Sequence, residues 1–99
     1  MSKRLDFAAV DAAAASLLPV LAARWCPGGR RHGAEYTALN PTRADTRLGS
    51  FKINVRSGAW ADFSTGDRGR GAISLAAYVH NLKPLEAARL LANMMGIEQ

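Results

Sequence analysis

The chain has 99 residues, of which 48% are hydrophobic and 21% charged, and it carries a net charge of +5. These values fit one small globular domain over residues 1–99 and exclude a disordered acidic or low-complexity chain. The single cysteine, Cys26, excludes an internal disulfide and fits a reducing compartment. Lys3 and Arg4 ahead of an alanine-rich stretch have the outline of a signal peptide. Asp6 and Asp11 interrupt that stretch, however, and residues 12–23 are too short to span a bilayer, so a cytoplasmic protein without a membrane segment is expected.

Asp6 is placed to cap a first helix whose apolar stripe is Phe7, Val10, Ala14, Leu17 or Leu18, and Leu21. Pro19 should kink or restart this helix, and Trp25-Cys26-Pro27-Gly28-Gly29 should end it. Residues 30–33 read as a basic loop. Residues 35–39 read as a short strand, and residues 40–47 as a polar connection. Phe51, Ile53 and Val55 alternate with Lys52, Asn54 and Arg56, the period of a half-buried strand, and residues 59–63 supply its return partner.

The hairpin register follows from loop length. A two-residue loop sets Val55 opposite Trp60 and Ile53 opposite Asp62, mixing apolar and charged side chains on one face. A three-residue loop, Arg56-Ser57-Gly58 with a left-handed glycine, pairs Val55 with Ala59, Ile53 with Ala61 and Phe51 with Phe63. A one-residue slip inverts every side chain, so the second register is expected, with Trp60 on the wetter, basic face. Residues 64–71 then form a loop into a helix over residues 72–81. A last helix opens at Pro84, with Glu86 in its first turn and Leu85, Ala88, Leu91 and Met95 as its stripe. Gly96 before Ile97 closes it. The expected fold is α+β: one helix, a three-stranded antiparallel sheet, and two helices.

The basic excess lies mid-chain and is mostly arginine, whose planar fork suits phosphates and stacks on bases. It suggests an anionic partner, with nucleic acid foremost. The loop Gly66-Asp67-Arg68-Gly69-Arg70-Gly71 joins two guanidinium groups to a helix N-terminus able to hold a phosphate, although no Walker lysine follows. Trp60 beside Lys52 and Asn54 could stack an unpaired base. The expected nucleic-acid contacts are Arg30, Arg31, Arg43, Arg47, Lys52, Asn54, Arg56, Trp60, Arg68 and Arg70. Each also has a plain reading, as a solvated arginine or as a tryptophan covered by another element. One cysteine and two histidines cannot assemble a closed zinc site, and nothing orients Cys26 and His32 as a catalytic pair, so neither metal, cofactor nor catalysis is expected. The last two helices offer only Arg89 as a basic probe, which reads as packing rather than a helix-turn-helix reader.

Several stretches together resemble the zinc-ribbon domain at the N-terminus of bacterial and phage DNA primases. Trp25-Cys26-Pro27 with His32 is similar to a lengthened first knuckle. Gly49-Ser50-Phe51-Lys52-Ile53-Asn54-Val55 is similar to the first strand of that family, Gly58-Ala59-Trp60-Ala61-Asp62-Phe63 to its second, and Gly69-Arg70-Gly71-Ala72-Ile73 to its turn and helix start. The resemblance covers about residues 19–95. The second knuckle reads Asp62-Phe63-Ser64-Thr65 without cysteine, so the metal ligands do not carry over, and Arg70-Gly71 departs from the Gly-Asp of the turn. The chain is most similar to zinc-less relatives in primase–helicase proteins of plasmids, prophages and other mobile elements. That resemblance implies a zinc-ribbon-like scaffold without zinc that engages single-stranded DNA beside a primase, polymerase or helicase. The alternative is a protein-interaction module that docks such an enzyme without binding DNA strongly.

Overall fold

In the computed structural model, which describes residues 5–97, the N-terminal segment forms α1 (Phe7–Ala14), a 3-10 turn (Ala15–Leu17) and α2 (Leu18–Trp25). Asp6 caps α1 by accepting the Ala9 amide at 3.2 Å. Pro19 lies in the first turn of α2, where its missing donor costs nothing, and the preceding 3-10 turn is the break it imposes. Val10, Ala14, Leu18, Leu21 and Ala22 enter the core, so Leu18 rather than Leu17 continues the stripe, while Phe7 stays more exposed than its place in the stripe suggested. The helical run Phe7–Trp25 is 19 residues long and apolar enough to cross a membrane by length and composition, longer than the span counted above. Its inward stripe packs against the rest of the domain. Lys3 and Arg4, the basic flank of that run, lie outside the described residues.

Five antiparallel strands follow in the order in which they occur: β1 (Arg30–His32), β2 (Glu35–Ala38), β3 (Phe51–Asn54), β4 (Ala59–Asp62) and β5 (Arg68–Arg70). The expected three strands are the central ones. Both basic stretches read as loops are short edge strands, because each finds a neighbour with unpaired backbone groups. Arginines along both outer strands also discourage edge-to-edge association.

The β3–β4 register differs from the expected one. Ile53 pairs with Trp60 and Phe51 with Asp62, so the connection is the four residues Val55, Arg56, Ser57 and Gly58. Gly58 is left-handed as expected, at φ +82°. The turn is built by Asn54, whose Oδ1 accepts the Arg56 and Ser57 amides, both at 2.9 Å. One extra loop residue inverts β4, turning Trp60 and Asp62 inward and Ala59, Ala61 and Phe63 outward.

The helices α3 (Ala72–His80) and α4 (Pro84–Met94) pack on each other and on α1, covering the inner face of the sheet. Glu86 caps α4 by accepting the Lys83 amide at 2.8 Å. Gly96, at φ +70°, closes it, with the Ile97 amide donating to the Ala92 carbonyl. The core face of α4 is Ala87, Ala88, Leu91 and Ala92, and Leu85 points outward.

Trp60, 6% exposed, sits between sheet and α3. Its ring lies 4.4 Å from Tyr78 and 6.3 Å from Phe51, and its Nε1 donates to Ser74 Oγ at 3.2 Å. Gly69 of β5 passes directly over the indole, where a Cβ would overlap the ring and Ser74 Oγ. The tryptophan expected to face solvent is therefore the central core residue of the sheet–helix interface. Trp60→Ala should lower stability by about 3–5 kcal/mol, the range for emptying a buried aromatic site. Urea unfolding checks this, and a variant as stable as the parent would contradict the burial.

Candidate functional site

Strand register decides which side chains share the outer face. One cross-strand row runs Arg30, Thr37, Lys52, Ala61, Arg68. A second row holds His32, Glu35 and Asn54 on one side, with Ala59 and Arg70 on the other. The outer face thus alternates small residues on β4 with cations on the flanking strands. Neighbouring strands lie about 4.8 Å apart, so Lys52 and Arg68 stand roughly 10 Å apart across Ala61. A cleft of about 550 Å³ lies here, lined among others by Lys52, Ala59, Ala61, Phe63, Arg68 and Arg70.

Of the expected contact residues, the structure brings Arg30, Lys52, Asn54, Arg68 and Arg70 onto this face. Lys52 Nζ is 3.3 Å from Glu35 Oε1, so its charge is partly shared. Arg30, Arg68 and Arg70 are exposed and form no ion pair with another described residue. Arg31 has the opposite strand parity, and its Nε donates to the Gly33 carbonyl at 2.9 Å. Arg56 is exposed in the β3–β4 turn, and Arg47 is exposed in the β2–β3 connection at the other end of the sheet. Trp60 lies under the sheet, and Asn54 is occupied in holding its turn.

Arg43 is committed inside the molecule. Its Nε donates to Asp62 Oδ2 at 2.9 Å and its Nη2 to Ser50 Oγ at 2.9 Å, while Nη1 is 3.4 Å from Asp45. Asp62 is fully buried and also accepts from Asn40 Nδ2 at 2.7 Å and from the Ser64 amide at 2.8 Å. Asn40 Nδ2 donates further to Tyr78 Oη, which donates to Asp67 Oδ2 at 2.7 Å. Burial pushes the Asp62 carboxyl up. The hydrogen bonds from Arg43, Asn40 and Ser64, with the Arg43 charge, outweigh burial and hold it well below its ordinary value of 3.8.

The helix N-terminus expected to cradle a phosphate already has an anion. Asp11 of α1 accepts the Ile73 amide of α3 at 2.8 Å, and the Gly71 amide donates to the Gly58 carbonyl at 3.0 Å. The basic character of residues 66–71 is therefore displayed by a strand face, and the expected phosphate cradle is filled from within.

Cys26 is buried, with its thiol pushed up to about 11 by that burial, so it is a neutral thiol at physiological pH. His32 faces solvent from β1, on the side of the sheet away from the core that holds Cys26. The two do not form a knuckle. Among the described residues, no three His, Cys, Asp or Glu side chains gather in a group able to hold a metal ion.

Sequence reasoning passed over Phe63, Ala59 and Ala61 as site residues. Phe63 is 72% exposed and lies at the cleft. The available signal was Asp62 itself: a carboxylate within a strand can turn inward only with a partner, and Asn40 and Arg43 stood in the preceding polar connection. Neither a protein-family model nor a curated protein sequence matches the chain.

Replacing Asp62 by Asn should remove the charge that Arg43 and Asn40 converge on, lowering stability by about 2–3 kcal/mol. Because the folded-state carboxyl is depressed, the unfolded chain binds the additional proton first. The Asp62 contribution is full above about pH 4 and declines as pH falls below it. Thermal unfolding from pH 7 to pH 2 should show a shallower acid decline for Asp62→Asn than for the parent. Parallel curves would contradict this role.

Proposed function

We propose that this chain is a non-catalytic module that binds single-stranded DNA across the outer face of its sheet. The observation carrying the reading is the register-defined placement of Lys52, Arg68 and Arg70 around a floor of alanines, with Arg30 further out on the same face, beyond Thr37. Such a face offers charge-assisted bonds to phosphates on both sides of a groove about one strand wide. A duplex has a broader cross-section than the space between Lys52 and Arg68, which favours an unpaired strand.

The resemblance to primase zinc-ribbon domains supplies the finer reading. The chain is then a zinc-less ribbon of a mobile-element primase–helicase system, acting in the cytoplasm in replication or priming beside a primase, polymerase or helicase. Two features support it: a hairpin of the expected strands, and a buried Asp62–Arg43–Asn40 cluster at the turn where that family places its second metal knuckle. The competing reading is a docking module for such an enzyme, favoured by the exposed ring of Phe63, since solvent-exposed aromatics also anchor protein interfaces.

Fluorescence anisotropy with a labelled single-stranded oligonucleotide separates the two. Log affinity should fall with log salt by about 0.7 per contacted phosphate, and Arg68→Ala/Arg70→Ala should both weaken binding and reduce the slope by about 1.4. A salt-independent response, or no binding by the parent alongside retained binding to a purified replication enzyme, favours the docking module.

A further inference from the structure

The structure assigns Phe63, over the Ala59–Ala61 floor, as a stacking site for an unpaired base, so that the cleft reads bases as well as phosphates; this rests on the single-strand reading above. Three observations carry it. Phe63 is the most exposed of the large apolar side chains described, yet its backbone is held firmly. Its amide donates to the Ser50 carbonyl at 2.8 Å, and it sits between buried Asp62 and Ser64, whose amide donates back to Asp62 at 2.8 Å. With the backbone beneath the ring already fixed, binding has only the side chain's own rotation left to order.

The floor beside it is small by composition. Ala61 lies between Lys52 and Arg68, and Ala59 lies beside Arg70. Larger residues at either position would fill the space between the cations. As it stands, a planar ring can enter between them and meet the face of Phe63. Arg68 then supplies a guanidinium plane at the same cleft, able to stack or to bond a phosphate. The occupant that matches an apolar surface flanked by Arg68 and Arg70 on one side, and by Lys52 with its Glu35 partner on the other, is a nucleobase carried on an anionic backbone. Because a paired base has both faces covered by its neighbours in the stack, the site selects unpaired strands.

The test compares an oligothymidylate with an abasic oligonucleotide of equal length and charge, against the parent, Phe63→Ala, Phe63→Trp and Ala61→Leu. The parent should bind the thymidylate about 10-fold or more tightly than the abasic strand, the scale of one base–aromatic contact. Phe63→Ala and Ala61→Leu should bring thymidylate affinity down to the abasic level without altering the salt slope. Phe63→Trp should retain the preference. Phe63 and Ala61 lie on the solvent side, so all variants should unfold at the parent's temperature. Equal affinity for the two oligonucleotides, or a Phe63→Ala variant that keeps the preference, overturns the base site and leaves phosphate binding standing. No binding of either oligonucleotide at low salt overturns both.

Discussion

The domain turns on a carboxylate taken out of water. Asp62 is fully buried, and a buried charge is tolerated only when its lone pairs are met by donors and a counter-charge. Those donors come from the β2–β3 connection, where Asn40 and Arg43 reach across to β4, and from the Ser64 amide. The cluster ties a long polar loop to the end of the sheet. It also determines which way β4 faces. With Asp62 inward, strand alternation sends Trp60 inward as well and puts Ala59, Ala61 and Phe63 on the solvent side.

From that inversion the remaining architecture follows. The inward indole needs space under the last strand, which only glycine at position 69 leaves open. β5 can therefore lie flat over Trp60 and present Arg68 and Arg70 outward. The same strand feeds α3, whose first turn is satisfied by Asp11 across 62 residues of sequence. A helix terminus neutralised from within has no further need of an anion, so the cationic face of the protein is its sheet. The tryptophan and the arginines do belong to one unit, as framework and display, in place of the shared surface expected of them.

Much was legible from local chemistry. The Asp6 cap, the break at Pro19, the Pro84 start with Glu86 reaching back, and the Gly96 stop each depend on groups within about one helical turn. The three central strands showed their alternation, and Gly58 its positive φ. The edge strands did not, since three residues such as Arg30–His32 carry no periodicity and become strands only through a neighbour. The exposure of Leu85 has a similar cause: alanines at 87 and 92 bring α4 close to its neighbours and take the contact that a larger stripe would have made.

Residue order along the chain settled the helices, the hairpin, the concentration of arginine and the absence of a disulfide, because each rests on spacing or on residue identity alone. Strand facing, the burial of Trp60, the commitment of Arg43 and the emergence of Phe63 at an open cleft were decided by folding. All four depend on the partnership of Asp62 with Asn40 and Arg43, 22 and 19 positions away. Local alternation favours an all-apolar face. The register found instead buries the indole of Trp60, and it can hold Asp62 inward because Asn40, Arg43 and the Ser64 amide meet the carboxylate.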